Sequence, residues 1–175
     1  LLDELWTQCM SNSDGGGSSG SNCDGDHNVF TWTRGSGGAG SWDHVNNLNN
    51  TMTAGEGILV YVFADNNFDG TGDLPVTLSV SGTENSGDVR YPASGTIENT
   101  RYGFAGNPYH QTIDFDLIYK DKISGTVYVY DNSGSSPNSP DVNVSGGGIY
   151  RAWNGTNGSL TNGLIAPFQG FVVTA

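Results

Sequence analysis

Met52-Thr-Ala-Gly-Glu-Gly-Ile-Leu-Val60 and Ile165-Ala-Pro-Phe-Gln-Gly-Phe-Val-Val173 lie 113 positions apart and share one pattern: a turn-forming segment, a glycine, then an apolar run. Gly57 superposes on Gly170, and the residues behind each glycine are those that favour a pleated, half-buried strand. Upstream the order repeats as well. Leu1 to Leu5, Val29-Phe-Thr-Trp32 and Trp42 precede the first copy, whereas Ile113 to Leu117, Val127-Tyr-Val-Tyr130 and Trp153 precede the second. Each half therefore reads as helix or turn, strand, aromatic strand, glycine-led strand. Residues 1–100 form the first half and 101–175 the second, and together they predict one compact unit.

The second half opens with one element more, Arg101-Tyr-Gly-Phe-Ala-Gly-Asn-Pro-Tyr109, which has no counterpart before Leu1. The first half thus reads as lacking its opening strand. A sheet short of a strand leaves a row of backbone N–H and C=O groups and part of an apolar face open to pairing. The filler is either sequence that precedes Leu1 in the same polypeptide or a strand donated by a neighbouring copy, in which case the protein polymerises by strand addition.

Composition agrees with an all-β fold. Hydrophobic residues make up only 35% of the chain, yet 11% are aromatic, and 27 glycines among many Asn, Ser and Thr disfavour long helices. Leu1 to Met10 carries apolar residues at 1, 2, 5 and 6, which predicts one short N-terminal helix. Further strands are expected at 29–33, 42–45, 57–64, 76–80, 88–91, 102–105, 126–130, 149–153 and 168–173, each bounded by Gly, Pro, Asn or Asp. Short strands at this spacing predict an antiparallel, β-sandwich-like architecture.

Six Lys and Arg against 18 Asp and Glu give a net charge of −12, which repels nucleic acid and anionic headgroups alike. No apolar run approaches the roughly 18–20 residues that span a bilayer, so membrane insertion is not expected. Acidity suits divalent cations, neutral glycans or plain solubility outside a cell.

Gly106-Asn-Pro-Tyr109, Ile113-Asp-Phe-Asp116, Thr126-Val-Tyr-Val-Tyr-Asp131, Tyr150 with Trp153, and Ile165-Ala-Pro-Phe-Gln-Gly-Phe171 occur here in order. This series resembles a module of Bacteroidota-type surface proteins, many of them exported by type IX secretion. Leu5-Trp-Thr-Gln8, Trp42 and the run from Ala54 to Phe63 extend the resemblance to the first half. The resemblance implies a strand before Leu1, matching the gap inferred from the repeat, and an extracellular or cell-surface location. It implies no reaction, since such modules are non-catalytic parts of large proteins.

The sharpest local motif is Asp65-Asn-Asn-Phe-Asp-Gly-Thr-Gly-Asp73. Asp65, Asn67, Asp69, Thr71 and Asp73 set oxygen donors at alternate positions around Gly70, as in the opening of a Ca²⁺ loop. Val76 stands where the bidentate Glu of an EF-hand would be, so calcium and an ordinary acidic hairpin turn remain alternative readings. Cys9 and Cys23 bracket a Gly/Ser loop and are either a disulfide, worth about 3 kcal/mol for such a loop, or two free thiols; an extracellular setting favours the bridge.

Trp32, Trp42 and Trp153 are candidate glycan-stacking or interface aromatics, although a chain poor in aliphatics needs most of its aromatics inside. Asn49, Asn143, Asn154 and Asn157 occupy N-x-Ser/Thr sequons and mark surface loops. Asp114 and Asp116 are spaced to share one face of a strand, but the resemblance puts them in a turn-and-strand segment, one capping local backbone N–H groups and the other exposed, which accounts for them better than paired-carboxylate catalysis. His27, His44 and His110 lie far apart, and Gly35-Ser-Gly-Gly-Ala-Gly40 lacks the lysine and helix of a phosphate loop. The sequence therefore predicts no enzyme. It predicts a structural subunit that self-associates by strand complementation, with a carbohydrate-binding or adhesive module as the alternative.

Overall fold

A computed structural model describes residues 29–34, 40–45, 51–60, 71, 72, 77, 79, 81–98, 101–131 and 148–175. The fold is all-β and antiparallel. Its strands are β1 (Val29–Thr33), β2 (Ser41–His44), β3 (Ile58–Val60), β4 (Tyr102–Gly106), β5 (Ile113–Asp114), β6 (Val127–Asp131), β7 (Ile149–Trp153), β8 (Leu164–Ile165) and β9 (Gly170–Thr174). The helix expected over residues 1–10 and the Cys9/Cys23 pair lie outside the described residues.

Contacts divide the chain into two units. In the first, β2, β1 and β3 form a sheet in that order. The second takes in Arg34, Gly40, residues 53–57 and everything described from Asn85 onward, so segments before residue 101 contribute to it. Its main sheet runs β4-β9-β6-β7, and β5 pairs with β8 in a two-stranded ribbon.

Alternation decides which side of the second sheet is core. Val127 and Val129 on β6, Phe171 and Val173 on β9, and Ala105 on β4 are buried, and the intervening residues are not. Phe115 and Ile165, from the ribbon side, complete the cluster, with the Phe115 and Phe171 rings edge to face at 6.5 Å. This is a two-layer, sandwich-like unit. Each of these valine, isoleucine and phenylalanine side chains contributes about 1.5–3 kcal/mol on burial, and one charged residue placed at Val127 would remove that and add an unpaired charge.

Residues 88–91, expected as a strand, are irregular. Their local bonds run to side chains instead of a ladder: the Tyr109 hydroxyl donates to Gly87 O at 2.8 Å and accepts from Val89 N at 3.2 Å, and Asn85 Nδ2 donates to Pro108 O at 2.9 Å. Pro92 follows, with no N–H to give a ladder. The segment serves as a cover: a Cβ at Gly103 would sit 2.5 Å from Ile97 and 2.9 Å from the Tyr91 ring, so β4 can pass beneath them only as glycine there.

Arg34 Nη2 donates to Ser94 O at 3.2 Å and its guanidinium lies 5.8 Å from the Tyr91 ring centroid. Burial pushes the Tyr91 phenol above its ordinary pKa, against a smaller opposing pull from Arg34. In the unfolded chain the phenol ionises first, so the folded state holds more protons and stability falls as pH rises past about 10. Urea unfolding of the wild type and of Tyr91→Phe between pH 8 and 11 checks this; the variant is expected to show the shallower alkaline decline.

Candidate functional site: a repeated sheet edge and its aromatic pairs

The two sheets repeat each other at the level of strand register. β1 pairs with β2 and β3 as β6 pairs with β7 and β9, all antiparallel. Val29 stands opposite Val60 and Phe30 opposite Leu59; Val127 stands opposite Val173 and Tyr128 opposite Val172. The equivalence of Ile58-Leu-Val60 with Phe171-Val-Val173 read from the sequence is therefore also an equivalence of pairing.

The next strand position differs. In the second sheet β4 lies along the far edge of β9 over five residue pairs, Tyr102↔Thr174 to Gly106↔Gly170. Among the described residues, β3 pairs with β1 alone and no strand lies on its other edge. Glu56, just before β3, bridges Ala105 within the second unit, with Gly57 N donating to Phe104 O and Gly106 N to Gly55 O.

Hydrogen-bond alternation shows which groups face that edge. Val45 N donates to Val29 O, which assigns Val29 to the β2 side and Phe30, with its partner Leu59, to the shared β1/β3 ladder. The backbone groups of Ile58 and Val60 consequently face away from β1. In the second sheet Asn107 N donates to Gln169 O and Ala175 N to Arg101 O, which turns Phe171 and Val173 toward β4. The residues that bind β4 in one sheet are the equivalents of those turned outward in the other.

Aromatic pairs mark the same site in both copies. Trp32 stands opposite Trp42 with ring centroids 5.0 Å apart and planes at 70°, and Tyr130 stands opposite Tyr150 at 5.4 Å and 62°. Rings so inclined cannot both lie flat against one sugar, so they form cross-strand anchors better than a stacking platform. Trp42 remains 39% and Tyr150 58% exposed. Burial pushes the Tyr150 phenol up, helped by Tyr130 beside it.

Trp153 plays another part. Sequence order aligns it with Trp42, but the register gives that place to Tyr150. Trp153 instead packs against the core cluster and donates from Nε1 to Asp116 Oδ2 at 3.0 Å. Asp114 Oδ1 accepts from Asp116 N at 2.9 Å and caps the 3₁₀ turn Phe115–Leu117. Both carboxylates are thus engaged locally. Lys120 holds the other end of that turn, its Nζ donating to the carbonyls of Phe115 and Ile118 while lying 4.6 Å from the Phe115 ring centroid.

Asn107 was not singled out in the sequence as a site, yet among the described residues of the second unit it is the buried polar side chain, only 2% exposed. Its Nδ2 donates to Gln111 O at 2.8 Å, Ala166 O at 2.9 Å and Ile165 O at 3.3 Å, and Oδ1 accepts from Tyr109 N at 3.0 Å. The Gly-Asn-Pro-Tyr turn and the Ile-Ala-Pro-Phe-Gln-Gly strand entry are therefore two sides of one lock.

Asn154 Oδ1 accepts from Thr156 N and Asn157 N at 3.1 and 2.8 Å, and both Asn154 and Asn157 are exposed. Asn49 and Asn143 lie outside the described residues, as do Asp65, Asn67, Asp69 and Asp73 of the candidate calcium loop; Thr71 alone of that set is described. Among the described residues no helix is long and apolar enough to cross a membrane. No family model matches the chain, and no curated protein or solved structure matches it.

Proposed function

We propose that this chain is a non-enzymatic, extracellular structural subunit that assembles with copies of itself by β-strand pairing at the outer edge of β3. The supporting observation is the difference between the two sheets. The same three-strand register occurs twice, and the strand that completes it beside β9 has no equivalent beside β3 among the described residues. Pairing at such an edge is driven by backbone hydrogen bonds along an extended segment, with alternate side chains setting specificity. The acidic composition keeps free subunits apart in solution, and the aromatic pairs stiffen the sheets that would carry load. A cation at the 65–73 loop would stiffen that segment further. Surface display by a type IX-type route is part of the same reading, on the strength of the sequence resemblance.

Electron microscopy of native material, beside light scattering of the recombinant chain with and without Ca²⁺, tests this. Filaments or sheets with an added strand on β3 are the expected result. A monodisperse monomer at all concentrations, with β3 covered by the chain's own residues, would overturn it and favour the carbohydrate-binding alternative; tryptophan fluorescence on addition of sugars would then shift.

A further inference from the structure

Asn-Gly occurs three times in the chain, at 154–155, 157–158 and 162–163, and the fold treats the three differently. At this dipeptide an asparagine can convert itself: the glycine N, with no Cβ beside it to block the approach, attacks the side-chain amide carbon. The attack needs a peptide group free to turn toward Cγ. As charge builds on Oδ1, it also needs donors already aimed at that oxygen.

Two of the three are held. The Asn157 carbonyl accepts from Asn154 N at 3.2 Å, and Gly158 is bridged to Trp153, so close to β7 that a Cβ on it would lie 2.0 Å from Ala152 O. Gly163 is buried, and a Cβ on it would lie 2.5 Å from the Trp153 ring, so turning the 162–163 peptide drives it against the indole.

At 154–155 both requirements are met. Asn154 and Gly155 are exposed, and a Cβ on Gly155 would have one neighbour within 4 Å, Asp116 Oδ1 at 3.5 Å. Asn154 Oδ1 accepts from Thr156 N at 3.1 Å and from Asn157 N at 2.8 Å, two fixed donors on the oxygen that gains charge when Cγ is attacked. The same two bonds hold the side-chain amide over the turn.

We infer that Asn154 is a self-modification site, selected among the three by the fold, at which a neutral turn becomes acidic with water as the sole co-reactant. Gly155 N gives up its proton and bonds to Asn154 Cγ. The Cγ–Nδ2 bond breaks and Nδ2 leaves as ammonia with that proton, closing a succinimide ring. Water then opens the ring. Cleavage of the new Cγ–N bond leaves an aspartyl residue at 154, whereas cleavage between Gly155 N and the backbone carbonyl carbon leaves an isoaspartyl link, with the chain running through Cγ. The aspartyl product keeps an oxygen for Thr156 N and Asn157 N and adds a negative charge beside Asp116. The isoaspartyl product adds a carbon to the backbone, and the Trp153↔Gly158 bridge and the Leu160 N to Ala152 O bond beside β7 are lost with the turn.

The test incubates the full chain at neutral and mildly alkaline pH, folded and unfolded in urea. Peptide mapping by mass spectrometry reads the amide-to-acid mass gain at each asparagine, and chromatography separates the isoaspartyl form. In the folded chain, conversion at Asn154 is expected to run at least about tenfold faster than at Asn157 and Asn162, and faster at the higher pH; in urea the three rates converge. Asn154→Ser, which keeps a turn-forming oxygen, is expected to remove most of the ammonia released by the folded chain while the circular dichroism stays unchanged. Equal rates at the three sites of the folded chain overturn the inference, as does an Asn154 that stays an amide while the unfolded chain converts. A ranking that persists in urea also overturns it, because local sequence and not the fold would then select the site.

Discussion

Asn107→Ala is expected to lower stability by about 4 kcal/mol, which in a chain of this size corresponds to roughly 8–16 °C in Tm. The side chain is almost wholly buried and serves carbonyls of Gln111, Ile165 and Ala166 as well as the amide of Tyr109. Truncation removes the side-chain partner of Gln111 O, Ile165 O and Tyr109 N and leaves Ala166 O with Gln169 N alone, and a buried unsatisfied group costs about 1–3 kcal/mol. Asn107→Asp is the more telling variant. If the residue acted only as a turn former, aspartate would substitute well, because it makes the same turn through its oxygen. As a donor to three carbonyls it cannot be replaced by a carboxylate, and the Asp variant is expected to be at least as unstable as Ala. Thermal unfolding of the three proteins decides between these outcomes.

Val60→Pro is expected to raise the concentration needed for assembly by about a hundredfold while leaving the subunit folded. Proline is tolerated on a strand edge when its missing N–H would have faced outward, and the N–H of Val60 faces away from β1. An incoming strand, however, loses a hydrogen bond and meets the ring, a combined cost near 3 kcal/mol. Light scattering on dilution measures the first effect and circular dichroism the second. If the variant instead unfolds readily and the wild type never associates, the edge is filled by the same polypeptide.

The β character of the chain and most of its strands were legible because alternation and turn residues act locally. Val127-Tyr-Val-Tyr130 buries its valines and turns its tyrosines outward, as a period of two requires. The repeat was legible for the same reason, since Gly57 and Gly170 each precede an apolar run. Register was not. Trp42 and Trp153 look equivalent in sequence, but which residue faces which depends on hydrogen-bond parity across a loop, and that parity places Tyr150 opposite Tyr130.

The strand expected at 88–91 failed for a related reason: the neighbours that decide its conformation, Pro108 and Tyr109, arrive from about 20 residues away. Asn107 was hidden by its type, because an asparagine between Gly and Pro reads as an ordinary turn former. The turn closed by Glu56 N on Thr53 O and again by Gln169 N on Ala166 O could have been found from the aligned sequences, where Phe168 stands in the place of Gly55; the positive φ of Phe168 could not.

Asn107 joins carbonyls 58 and 59 positions further along the chain. The path between them, by way of β6, β7 and their connection, is closed by this clasp whatever its length. A connection lying between the two held ends can therefore gain or lose residues without disturbing the turn that carries Phe168 or the entry into β9, since lengthening a closed loop costs only a logarithmic term. The clasp thereby fixes the turn at 166–169 and the entry into β9 by a contact with the turn at 106–109, independently of how much chain it encloses.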